Sequence, residues 1–120
     1  MGAMNIKDFL YCLGRTESND NPSSPLGDGG RAAGRFQIHP DWMDTQTKRF
    51  GIRPQLNETW DSYFTRLVTA FWEFYSGQMT DIEVAMYFHL GHRTLPTADD
   101  WDKEYAERFQ VFAADVARPH

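Results

Sequence analysis

A single, mainly α-helical domain with one irregular or short β excursion after its first helix is what this sequence predicts. Three observations carry that reading. At 120 residues and 13.9 kDa the chain has room for one core and no second one. Apolar residues recur with a helical period in several separate stretches. Between the first and second of these, residues 18–35 are rich in Gly, Pro, Ser and Asn and carry little that could be buried. Hydrophobic residues at 41% and charged residues at 24% fit an ordinary globular chain, and aromatics at 15% give a short chain a large apolar area.

The elements follow in order. Residues 5–17 read as a helix because Ile6, Phe9, Leu10 and Leu13 fall at i, i+3, i+4 and i+7. Four residues beyond Leu13 the same stripe reaches Glu17, which places a carboxylate on the core-facing side. After the loop, Arg35-Phe36-Gln37-Ile38-His39-Pro40 alternates, as a short extended segment or a helix entry would. Asp41 is the predicted N-cap of a helix over Trp42–Phe50 that Gly51 ends, and 51–59 is a connector. A third helix presents Trp60, Phe64, Leu67, Val68, Phe71, Phe74 and Tyr75, and closes at Gly77. Thr80 to Glu83 fits a capping box, opening a helix with Ile82, Ala85, Met86 and His89 on one side and a stop at Gly91. Thr97-Ala-Asp-Asp starts the last helix, striped by Trp101, Tyr105, Phe109 (or Arg108), Phe112 and Val116.

Several function classes fall away on composition. A net charge of −5 and a pI near 5.2 argue against a sequence-independent nucleic-acid binder, which needs a basic face to displace counterions. No run approaches the roughly 18 apolar residues that a membrane span needs. Cys12, the single cysteine, excludes an internal disulfide framework and reads as inert packing. No metal site is predicted: His39, His89, His92 and His120 lack ligand spacing, and no cofactor is implied. Met1–Met4 reads as an expression-vector remnant ahead of one domain over 5–120, without a signal-peptide pattern.

Four polar groups sit where the pattern expects apolar ones: Glu17, Gln37, His89 and Tyr105. A buried polar side chain costs about 1–3 kcal/mol unless paired, so four in a small core are best tolerated around a shared cleft. Singly, each has an ordinary explanation: a fraying terminal Glu, a satisfied core histidine, a rim tyrosine. Together they suggest a site.

In chain order these residues also resemble a family. Glu17-Ser18-Asn19, a Gly-rich loop, then Gly34-Arg35-Phe36-Gln37-Ile38 resembles the Glu-Ser … Gly-x-x-Gln-Ile signature of the lysozyme-like superfamily, closest to its soluble lytic transglycosylases and goose-type lysozymes. Met86-Tyr87-Phe88-His89-Leu90-Gly91 is similar to the transglycosylases' Ala-Tyr-Asn-x-Gly helix end, and Tyr105 stands where they carry a tyrosine in the final helix. The resemblance spans residues 6 to about 110. It implies a lysozyme-like fold acting on the β-1,4 bond between N-acetylmuramic acid and N-acetylglucosamine of peptidoglycan, with Glu17 catalytic. Ser18, Phe36, Gln37, Tyr87, His89 and Tyr105 would bind substrate, with Trp42 as a further candidate wall. The expected setting is a monomer working in the periplasm or outside the cell on peptidoglycan strands. Its acidic charge suits delivery within a secretion or phage assembly better than electrostatic steering.

The chemistry agrees with that placement. Breaking a glycosidic bond needs a proton for a poor leaving group near neutral pH, and a carboxyl held against apolar neighbours is favoured in its protonated form. A two-carboxylate hydrolase also wants a partner at about 5–5.5 Å, or about 6.5–9.5 Å with an intervening water. The vertebrate-type lysozyme pattern would put that aspartate at Ala32. Asp28 qualifies if its loop folds back, whereas Asp41 and Asp44 are expected to cap or decorate a helix. A transglycosylase needs only Glu17, which protonates the leaving oxygen and then takes the muramyl 6-hydroxyl proton as a 1,6-anhydro ring closes. His89 departs from the family's Asn. It is expected to be neutral, since a cation beside Glu17 would oppose the acid role. The competing readings are a hydrolase of peptidoglycan or chitin, and a catalytically silent module that binds glycan or protein.

Overall fold

Five helices make up most of residues 4–19, 34–91 and 102–117, the part of the chain that this computed structural model describes, and no strand occurs among the described residues. The fold is mainly α. Asp28, Ala32, His92, Thr97, Trp101 and His120 lie outside the described residues, so the predicted excursion after the first helix is visible only in its last part, a turn over 34–37.

Helix α1 (Ile6–Ser18) is capped by Asn5, whose side chain accepts the Asp8 N–H at 2.8 Å, and ends at Asn19 with φ 58°. Helix α2 (Pro40–Phe50) begins earlier than the sequence suggests. Pro40 takes a first-turn position, where its fixed φ suits a helix and its missing N–H costs nothing. The N-cap is therefore His39, and Asp41 falls inside the first turn. Gly51, at φ 66°, ends the helix as expected.

Helix α3 (Trp60–Tyr75) starts at Thr59, whose hydroxyl accepts the Ser62 N–H at 3.1 Å. Phe64, Leu67, Val68, Phe71 and Tyr75 are buried as the stripe requires. Trp60 and Phe74, read into the same face, are 63% and 47% exposed. Trp60 is the first helical residue and lies against Phe64 from outside, and Phe74 rests beside Phe50. Helix α4 (Asp81–Leu90) has the predicted Thr80–Glu83 capping box and stops at Gly91 with φ 64°. It buries Val84, Ala85, Met86 and Phe88, a broader apolar surface than the single stripe foreseen. Helix α5 (Lys103–Ala117) buries Tyr105, Ala106 and Phe109, with Arg108 outside the core.

Helix α1 packs on α5 and α3, α2 on α3, and α4 on α5. Phe9, Cys12 and Leu13 from α1 meet Leu67, Val68 and Phe71 from α3 in the interior, each fully buried. Each large apolar side chain so enclosed stabilises the fold by about 1.5–3 kcal/mol. Burial, with nearby carboxylates, pushes the Cys12 thiol up to about 11, consistent with an inert packing group. Across the surface, Arg108 Nη2 donates to the Thr16 carbonyl at 3.0 Å and fastens α5 to the end of α1, one residue before Glu17. No helix among the described residues is long and apolar enough to cross a membrane.

Candidate active site

Two tethers fix the turn that follows the Gly-rich segment. Ser18 Oγ donates to the Arg35 carbonyl at 2.5 Å, joining the turn to α1. The Arg35 guanidinium grips Asp61 of α3 with two parallel bonds, Nε to Oδ1 at 3.1 Å and Nη2 to Oδ2 at 3.2 Å. Between these anchors Gln37 has φ 50°, a left-handed conformation that is uncommon for a side chain of its kind and costs free energy unless its surroundings enforce it. The Gln37 N–H and its Nε2 both donate to the Gly34 carbonyl, at 3.1 and 2.9 Å. Phe36 and Ile38, on the other side of the chain, go into the core.

A groove of about 1110 Å³ opens where this turn meets α2 and α4. Glu17 reaches it from the last turn of α1, Gln37 from the turn, Trp42, Gln46 and Arg49 from α2, and Tyr87 and His89 from α4. The Glu17 side chain is 9% exposed, and its Oε2 has no hydrogen-bond partner among the described residues. That is a costly state for a carboxylate oxygen.

His89 is the closest ionisable group. Its Nδ1 stands 3.4 Å from Glu17 Oε2, an ion-pair separation rather than an aligned hydrogen bond. Its Nε2 lies 3.2 Å from Asp102 Oδ2, and its ring stacks on Tyr105 with centroids 3.8 Å apart and planes 17° from parallel. Asp102 is held in turn by the Tyr105 N–H, donated to Oδ1 at 3.1 Å. Burial, the largest single influence, works to lower the His89 pKa and is outweighed by Glu17 and Asp102 together; the net shift is upward. The sequence reading expects a neutral His89; here its imidazole lies between two carboxylates, which shift its pKa upward. Tyr105 is 1% exposed, its Oη has no hydrogen-bond partner among the described residues, and burial together with the Glu17 charge raises its pKa well above the ordinary value.

The sequence-derived set is thus partly assembled. Glu17, Gln37, Tyr87 and His89 share the groove with Trp42, and Tyr105 backs His89 from the core. Phe36 does not belong: it is 1% exposed and packs in the core, because it alternates with Gln37. Ser18 is absent from the groove lining and ties the turn to the helix. Asp28 lies outside the described residues. Asp41, expected as a cap, lines the groove. Three further residues were not foreseen. Gln46 is 5% exposed with an unpartnered Oε1, and Arg49 and Asp102 complete the surroundings. The rule that singled out Glu17 also finds Gln46, an amide on the stripe Trp42, Met43, Gln46 and Phe50. Among the described residues no cluster of ligands could hold a metal ion.

No protein-family model, curated protein or solved structure matches this chain.

Proposed function

We propose that this chain is a lysozyme-like glycosidase that cleaves the β-1,4 glycan of peptidoglycan, most simply as a lytic transglycosylase, with Glu17 as its general acid. The observation that carries the reading is a carboxyl 9% exposed on the wall of a groove large enough for sugar rings, with the His89 imidazole 3.4 Å from it. A carboxyl on a cleft wall with an ionisable partner beside it is placed to move a proton to and from a substrate oxygen.

His89 supplies the proton. Its pKa is raised by the two carboxylates, Nδ1 is 3.4 Å from Glu17, and Asp102 fixes the ring through Nε2. When a sugar covers the groove and excludes water, charge separation between imidazolium and carboxylate becomes more costly, and the proton passes to Glu17. Glu17 then protonates the leaving oxygen. As a carboxylate again, it takes the proton of the 6-hydroxyl whose oxygen bonds to C1, giving the anhydro product. Gln37 and Tyr87 offer hydrogen bonds and an aromatic face to the sugar, and Trp42 adds an apolar wall.

Hydrolysis is the second reading, favoured by one observation: Asp41 lines the same groove as Glu17 and would serve as the second carboxylate. The experiment is digestion of purified sacculi with mass spectrometry of the products. The expected result is anhydro-ended muropeptides, lost in Glu17→Gln; reducing ends would favour hydrolysis. Equal release by wild type and Glu17→Gln would remove the proposal.

A further inference from the structure

The groove is chemically uneven along α2. Its carboxylates are Glu17 and Asp41, and its one permanently charged cation among the described lining residues is Arg49. Asp41 and Arg49 are eight residues apart on one helix, roughly 12 Å at 1.5 Å per residue, so the charge changes sign along the α2 wall of the groove.

Arg49 is held in an uncommon way. Its guanidinium carbon lies 4.4 Å from the Phe74 ring centroid, 5.1 Å from Tyr75 and 5.4 Å from Phe50. Among the described residues it has no carboxylate within ion-pair distance and no hydrogen bond. Packing against aromatic rings restrains the guanidinium while leaving its in-plane N–H donors uncommitted. A cation already restrained loses little freedom on binding an anion, and its planar fork matches a carboxylate. The chain carries −5 overall, so an anionic polymer would be repelled without a local cation.

We infer that Arg49 is the anion-recognising residue of the groove, binding a carboxylate carried by the glycan substrate and so selecting a carboxylated strand over a neutral one. The inference rests on the glycan-cleaving reading and names its substrate class. Two parts of such a strand carry the chemistry: the carboxylates of a stem peptide or, where no stem is attached and the lactyl group is not amidated, the lactyl carboxylate.

The test is calorimetric titration of Glu17→Gln protein, which binds without turnover, with and without Arg49→Met. The three ligands are muramyl-containing oligosaccharide with its stem peptide, the same oligosaccharide without it, and a chito-oligosaccharide of equal length. Arg49→Met is expected to weaken the carboxylated ligands about 10- to 100-fold and the neutral one by less than about twofold, with Arg49→Lys in between. An effect on the peptide-free oligosaccharide assigns its free lactyl carboxylate, and one confined to the peptide-bearing ligand assigns the stem. Both outcomes support the inference. Equal weakening of neutral and carboxylated ligands, or no weakening of either, overturns it while leaving Glu17-dependent cleavage standing. If none of the three ligands binds, the glycan reading itself fails and takes the inference with it. Unchanged thermal unfolding of Arg49→Met shows that a loss of binding is not a loss of fold.

Discussion

Glu17 and Glu58 are buried to nearly the same degree, with side chains 9% and 6% exposed, and are treated in opposite ways. In the connector before α3, Arg66 donates to both oxygens of Glu58, at 2.8 and 2.6 Å. Ser62 Oγ adds a bond at 2.7 Å and the Gln55 N–H one at 3.0 Å. The Arg66 bonds first, then the Gln55 N–H, hold the Glu58 carboxyl down at about 2. Glu17 has none of these bonds: Oε2 lacks an aligned hydrogen bond among the described residues and faces only the His89 imidazole at 3.4 Å. Equal burial with unequal satisfaction separates a carboxylate used as a fastener from one held on a groove wall against a single imidazole.

The contrast is broken most directly by exchanging each carboxylate for its amide. Glu17→Gln is expected to lower turnover by about 10²- to 10⁴-fold, the span of general acid–base catalysis, with the melting temperature unchanged or raised. Glu58→Gln should do the reverse, keeping turnover and lowering the melting temperature. The pH dependence follows from the sign of the shift. A carboxyl whose folded pKa lies below its ordinary value of 4.5 stabilises the fold above that pH, and the contribution disappears as pH falls towards about 2. Wild type should therefore lose stability over that interval more steeply than Glu58→Gln. A loss of turnover in Glu58→Gln equal to that in Glu17→Gln would erase the distinction.

An intermediate effect is expected at Asp102, which belongs to the open cluster but touches it only through His89. Asp102 helps raise the His89 pKa, so Asp102→Asn should lower it and move the alkaline limb of the pH–rate profile to lower pH. Turnover at pH 6 should change less than turnover at pH 8. The stability sign is parallel: a histidine raised when folded contributes fully below its ordinary 6.5, and the contribution fades as pH rises through the folded value. An unshifted alkaline limb in Asp102→Asn would remove His89 as the proton source.

What the sequence reveals about these two regions divides by range. The Thr80–Glu83 box and the stops at Gly51 and Gly91 are local, set by capping oxygens and by backbone that favours glycine, and each is readable within a few residues. Glu17 is readable because a helical period carries a prediction four residues past Leu13. Phe36 is misplaced because alternation states that Phe36 and Ile38 share a side without stating which side is the core. The contact between Asp102 and His89 crosses from α4 to the start of α5, and no local rule pairs them. Arg49 is similar, an unremarkable cation in the last turn of α2 until Phe74 and Tyr75 arrive from α3.

The smallest effect, and the finest discrimination, belongs to the Tyr105 hydroxyl. Tyr105→Phe keeps the ring stacked 3.8 Å from His89 and deletes only an oxygen that has no hydrogen-bond partner among the described residues. A buried hydroxyl without a partner costs about 1–3 kcal/mol, so its removal should leave the melting temperature unchanged or raise it. Once the proton has passed to Glu17 in the substrate complex, the hydroxyl serves the reaction by donating to Glu17 as its carboxylate re-forms. Turnover should then fall by about tenfold or less while KM stays constant, the pattern of an interaction made only in the transition state. A hydroxyl that belonged to the fold, as the groups around Glu58 do, would show the reverse: a lower melting temperature with turnover intact.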